Sequence, residues 1–133
     1  NPTKEQVERV LHLFVYDDDI ITQEFIDFRW KSIQASEEHR IARLGNKAGS
    51  TNWTGRLHEV LQPTLVVFGA HDRFAALDSS VSLMRHYPDA ELHIFRNAGH
   101  WVQWEIPDEF NGVVLEWALR QKAAQRQETT AAG

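Results

Sequence analysis

The chain has no cysteine among its 133 residues, which excludes disulfides and thiolate metal sites and fits a reducing compartment. It has no Lys/Arg cluster, and a formal charge of -5 gives a nucleic acid no basic face to bind. Its longest strongly apolar run, "TLVVF", is far too short to span a bilayer. No basic stretch followed by an apolar segment opens the sequence, so no secretion signal is read. There is no Walker loop, no G-x-G-x-x-G and no HExxH. These absences lead to the expectation of a soluble, cytoplasmic protein with neither nucleic acid nor membrane as partner.

What is present fits one globular unit. A hydrophobic content of 42% and a charged content of 25% are ordinary for a soluble domain, and the length suffices for a core of normal size. From Thr3 to about Val60 the texture is helical. Val7, Val10, Leu11 and Phe14 follow the i, i+3, i+4, i+7 spacing of one helix face, and Thr3 with Gln6 reads as a capping box. Thr22 caps a second expected helix with Phe25, Ile26, Trp30 and Ile33 on its apolar side. Ser36 caps a third, "EEHRIARL", and "GNKAGSTNWTG" reads as a loop. The triplet Asp17-Asp18-Asp19 lacks calcium-loop spacing and is expected to be solvated.

From Pro63 the texture becomes α/β. "TLVVF" closed by Gly69 is a short β-branched and aromatic run, as expected of a buried strand. Asp78 is expected to cap a helix that ends near Tyr87, before Pro88. "ELHIF" reads as a second strand. A last helix is expected over about Pro107 to Gln121, with Phe110, Val113, Val114 and Trp117 inward, followed by a disordered tail over 123–133.

Strand, helix, strand implies a parallel pair, whose functional loops leave the carboxyl ends of the strands. Asp72 lies four residues past Phe68 and His100 five past Phe95. Both therefore emerge at one sheet edge. A histidine acting as general base needs its second nitrogen held by a carboxylate or carbonyl, and Asp72 is placed to hold His100. Taken singly, Asp72 reads equally as a turn-capping aspartate and His100 as a solvated or core histidine.

The strings "PTLVVFGAHDRF" and "LHIFRNAGHWVQWEIPDEFN" resemble the C-terminal part of an α/β-hydrolase, in which the triad runs Ser, Asp, His. The continuation "GHWVQWE" is similar to one branch, the bacterial meta-cleavage product hydrolases. These break a carbon–carbon bond in ring-opened aromatic or steroid catabolites. "NPTKEQVERVLHLFVYDDDIITQEFIDFRWKSIQ" and "TNWTGRL" resemble that branch's lid. The resemblance implies an α/β fold with residues 1–61 as a helical lid segment, 62–122 as two core strands with their helices, and 123–133 as the tail. It implies His100 as base, Asp72 as its acid, and Trp101, Phe74 and Trp53 as substrate-cleft walls. Arg29 would contact the substrate's carboxylate or dienolate oxygen, which suits a guanidinium. From the residues alone, Arg29 also reads as a solvated helix arginine, and Trp53 and Phe74 as core.

The nucleophile of that fold sits in a G-x-S-x-G elbow, and none occurs here. The nearest frame, "GNKAG", has Lys47 at its centre, and Ser79 and Ser80 read as first-turn helix residues. The chain is thus expected to be a C-terminal segment, inactive alone, whose serine and oxyanion hole lie upstream. The expected substrate is a small dienoate carboxylic acid. No cofactor is implied, and no metal: His86 and His93 lack zinc-ligand spacing. Self-association is left open. Competing readings are an esterase or dehalogenase on the same Asp–His frame, or a non-catalytic module that docks on an N-terminal partner.

Overall fold

The structure is a computed structural model that describes residues 2–36 and 54–131. Helix α1 (Lys4–Leu13) starts at the expected capping box: Thr3 Oγ1 accepts from the Gln6 N–H, and Gln6 Oε1 accepts from the Thr3 N–H. Helix α2 (Gln23–Ala35) is capped by Thr22, whose Oγ1 accepts from the Phe25 N–H. Between them a single 3-10 turn (Asp18–Ile20) is closed by Asp17, which takes the Asp19 N–H. The acidic triplet is therefore partly structural, for Asp18 also meets His12 Nδ1 at 2.9 Å.

The apolar faces of these two helices meet. Val7, Leu11, Val15, Ile21 and Ile26 form the buried core, with Phe25, Trp30, Ile33 and Trp101 packed around it. Val10, expected on the same face, is 45% exposed, because it borders an open cleft and not the helix contact. The expected third helix at 37–44, most of the loop that follows it, and Trp53 lie outside the described residues.

A 3-10 segment (Thr54–Glu59) leads into β1 (Thr64–Gly69), helix α3 (Leu77–His86) and β2 (Ala90–Phe95). The strands pair in parallel, with Val66 opposite Leu92 and Gly69 opposite Phe95. Only Val66 and Gly69 of this pair are buried. Helix α3 begins at Leu77 with Ala76 in the capping position, so Asp78 is not its N-cap. Asp78 lies in the first turn instead, where a negative charge is also favoured, and the sequence does not separate the two positions.

A short helix α4 (Val102–Glu105) joins the last strand to α5 (Pro107–Ala131). Phe110, Val113, Val114 and Trp117 do form its less exposed side. The helix runs ten residues past its expected end and takes up most of the segment expected to be disordered. "QKAAQRQE" is built of strong helix formers, which hold a helix without a buried face. The Arg120 guanidinium binds the Glu91 carboxylate through two bonds, at 3.0 and 2.7 Å, and ties α5 to β2. Among the described residues no helix is long and apolar enough to cross a membrane.

The two strand ends are locked by close backbone contact. A Cβ on Gly69 would stand 2.1 Å from the Gly99 carbonyl oxygen, and one on Gly99 would stand 2.7 Å from the Val15 carbonyl carbon. Neither neighbour is a flexible side chain. Gly69→Ala is therefore expected to destabilise by about 3 kcal/mol or more, as overpacking against backbone requires. Gly112→Ala, in open space on helix α5, is expected to stabilise by roughly 0.5–1 kcal/mol. Urea unfolding of both variants checks the contrast.

Candidate active site

The loops after β1 and β2 bring the expected pair together. His100 Nδ1 lies 2.8 Å from Asp72 Oδ2, and the Asp72 side chain is only 4% exposed while that of His100 is 34% exposed. The other carboxylate oxygen of Asp72 accepts the N–H groups of Phe74 at 2.7 Å and Ala75 at 2.8 Å. Asp72 thus caps its own turn and holds the histidine at once, so both readings of this residue apply. Its two oxygens divide the tasks. Burial pushes the Asp72 carboxyl up, but the Ala75 N–H, the His100 imidazole and the Phe74 N–H outweigh it and hold the carboxyl below its ordinary range.

The bond to Asp72 leaves Nε2 as the free nitrogen of His100, for among the described residues Nε2 makes no hydrogen bond. Two phenyl groups lie against one side of the ring. Phe14 stacks on it at a centroid distance of 5.1 Å and Phe74 lies against it at 4.9 Å. The two phenyls also meet each other edge-on at 5.0 Å. Phe74 is 63% exposed and so is not a core residue.

The backbone at His100 is fixed from the helical half. The Phe14 carbonyl accepts the N–H groups of His100 at 2.8 Å and Trp101 at 3.1 Å. Trp101 turns its ring onto Phe14 at 4.8 Å. Val10, Phe14, Arg29 and Ile33 of the helical half line a cleft of about 230 Å³ that Trp101, next to the histidine, borders. A shallower groove of about 280 Å³, with Phe25, Phe28 and Trp104, shares Arg29 and Trp101. Arg29 is half-buried, and its Nε is buried without a hydrogen-bond partner. The structure thus groups Asp72, His100, Phe74 and Trp101, and places Arg29 beside Trp101; Trp53 lies outside the described residues.

Two further residues belong to the site, and neither shows its structural role in the sequence. Phe14 reads as a plain helix-face apolar residue, yet it touches His100 by ring and by carbonyl. Glu105 stands in the "GHWVQWE" string, and its carboxylate accepts the Gly99 and Tyr16 N–H groups. Ser79 and Ser80 are the first-turn residues expected, with hydroxyls donated to the Ala76 and Leu77 carbonyls. Among the described residues no group of three His, Cys, Asp or Glu side chains could hold a metal ion.

A family model described as the alpha/beta hydrolase fold matches residues 15–107, and the chain belongs to that family. Within the family its similarity is to meta-cleavage product hydrolases. It is 36% identical over 123 residues to a 2-hydroxy-6-oxononadienedioate/2-hydroxy-6-oxononatrienedioate hydrolase of a Pseudomonas species, covering 90% of this chain and 44% of the relative. It is 38% identical over 120 residues to the 2-hydroxy-6-oxo-6-phenylhexa-2,4-dienoate hydrolase of Burkholderia cepacia, covering 87% of this chain and 42% of the relative. Among solved structures, a variant of a meta-cleavage product hydrolase superposes with a TM-score of 0.78 at 25% identity, over 90% of this chain and 47% of that one. The chain spans less than half the length of the curated relatives it matches.

A carboxyl held below its unfolded value adds stability that is present above about pH 3.9 and is lost as pH falls through the lower folded value. Asp72→Asn is expected to destabilise the chain by roughly 1–3 kcal/mol at pH 7, the cost of mispairing a buried acceptor. The gap between the two proteins should narrow as pH drops from 5 to 2. Thermal unfolding across that range measures it.

Proposed function

We propose that this chain supplies the acid, the base and part of the substrate cleft of a serine hydrolase. That hydrolase cleaves a carbon–carbon bond in 2-hydroxy-6-oxo-dienoate products of aromatic or steroid ring cleavage. The observation that carries the reading is the Asp72–His100 pair, bonded at 2.8 Å through Nδ1, beside an apolar cleft lined by Arg29, whose Nε is buried.

The roles proposed rest on this geometry together with the family resemblance. Asp72 fixes the tautomer of His100 with the proton on Nδ1, so Nε2 is the proton acceptor. The nucleophile is a serine on a G-x-S-x-G elbow, which this chain does not contain and which belongs to sequence upstream of it. His100 Nε2 assists ketonisation of the dienol substrate, then takes the proton of the serine as the hydrolytic step begins and returns it to the departing fragment. Arg29 binds the substrate's carboxylate or dienolate oxygen, which would satisfy its unpaired Nε. Trp101, Phe14 and Phe74 form the apolar wall around the reacting carbons, and Trp53 is assigned to the same wall by family resemblance. No cofactor enters this chemistry.

The test is made on the complete natural protein that carries this chain, assayed with 2-hydroxy-6-oxo-6-phenylhexa-2,4-dienoate and with a simple aryl ester. The dienoate is expected to be the better substrate by a wide margin. His100→Ala should lower kcat by about 10⁴-fold, as loss of a triad member does. Arg29→Leu should raise KM by roughly 10- to 100-fold, the worth of a charge-assisted hydrogen bond. Rapid ester hydrolysis with no dienoate turnover would sink the assignment in favour of an esterase.

A further inference from the structure

The geometry points to Glu105 as the positioning residue of His100: one carboxylate clamps the histidine loop to the segment that carries Phe14. Glu105 Oε1 accepts the Gly99 N–H at 2.7 Å and Oε2 accepts the Tyr16 N–H at 2.6 Å. These are short, charge-assisted bonds. They join two stretches 83 residues apart in sequence: Gly99 immediately precedes His100, and Tyr16 lies two residues past Phe14, which touches the imidazole and its backbone.

The clamp acts at the place where regular structure stops. The strand β2 ends at Phe95 and helix α4 starts at Val102, so His100 sits on a loop with no ladder or helix bonds of its own. Its backbone is held by the Phe14 carbonyl, and its ring is stacked on the Phe14 ring. Both contacts depend on the Phe14–Tyr16 segment lying against Gly99. That contact is bare backbone, with no Cβ on Gly99 to interlock. Glu105 is the one side chain among the described residues that bonds to both partners of this contact. It comes from α4, just past the histidine, so histidine loop, clamp and aromatic wall move as one body.

A carboxylate is required because both targets are donors. The amide of glutamine keeps one acceptor and turns an NH₂ group toward the second N–H, so Glu105→Gln retains shape and loses one of the two bonds. Asp in that position is one methylene short of spanning both.

This inference rests on His100 being the base, and the experiment separates the two. In the complete natural protein, the proton on His100 Nδ1 is followed by NMR together with the amide protons of Gly99 and Tyr16. In the unaltered protein the two amide protons are expected to move in step as a single carboxylate is protonated. In Glu105→Gln the exchange of the Nδ1 proton with water should accelerate at least tenfold, and kcat on the dienoate should fall by about 100-fold with KM within twofold. Amides that ignore carboxylate protonation, or a folded Glu105→Gln protein whose Nδ1 proton exchanges at the original rate, would overturn the clamp. If Glu105→Gln does not fold, the paired amide titration alone decides. Coupled amides and a faster Nδ1 exchange without dienoate turnover would leave the clamp standing and remove the proposed reaction.

Discussion

Three stretches of backbone meet around Gly99, closer than any side chain between them would allow. The turn after β1 at Gly69 presses on one side, and the Val15–Tyr16 segment that follows α1 presses on the other. Everything with chemical character hangs from this junction. Asp72 follows Gly69 by three residues, His100 follows Gly99 by one, and Phe14 precedes Val15 by one. Glycine at both positions costs conformational entropy on folding, and what it secures is a fixed distance between acid, base and aromatic wall. The contact also explains how a helical half and a strand half share one site. They are joined there by packed backbone, and around it Phe14 meets Phe74 while Trp101 and Trp104 lie against the helical half.

The parallel strand pair and the acid–histidine pair were legible because they depend on short-range pattern. A β-branched run closed by glycine marks a strand, and a polar residue a few positions past it has only one direction in which to emerge. The register, with Gly69 opposite Phe95, then brings Asp72 and His100 to one edge. Capping residues were legible for the same reason, since Thr3 and Thr22 bond to groups three residues away. Asp78 shows the limit of that local grammar. An acidic residue near a helix start suits both the cap and the first turn, and its place is set by how the preceding loop packs.

Most of what escaped the sequence is long-range. Phe14 has the spacing of a core residue, and nothing near it in the chain announces a partner 86 positions away. Glu105 looks like an ordinary acidic residue until Tyr16 is placed beside it. Val10 fits the buried face by period, yet the neighbour that would cover it gives way to a cleft. The length of α5 failed for the opposite reason. Small and polar residues suggest disorder by composition, whereas their intrinsic helical preference carries the helix on to Ala131.

Phe14 and Phe74 also fix what the histidine can meet, for they touch each other as well as the imidazole. The three ring centroids stand about 5 Å apart pairwise, so both phenyl groups back one side of the imidazole. With Nδ1 committed to Asp72, turning the ring over would break the carboxylate bond. The side chain thus behaves as a tool resting against a fence: it is backed from one side, pinned at one nitrogen, and offers Nε2 to an electrophile, a proton or a metal probe.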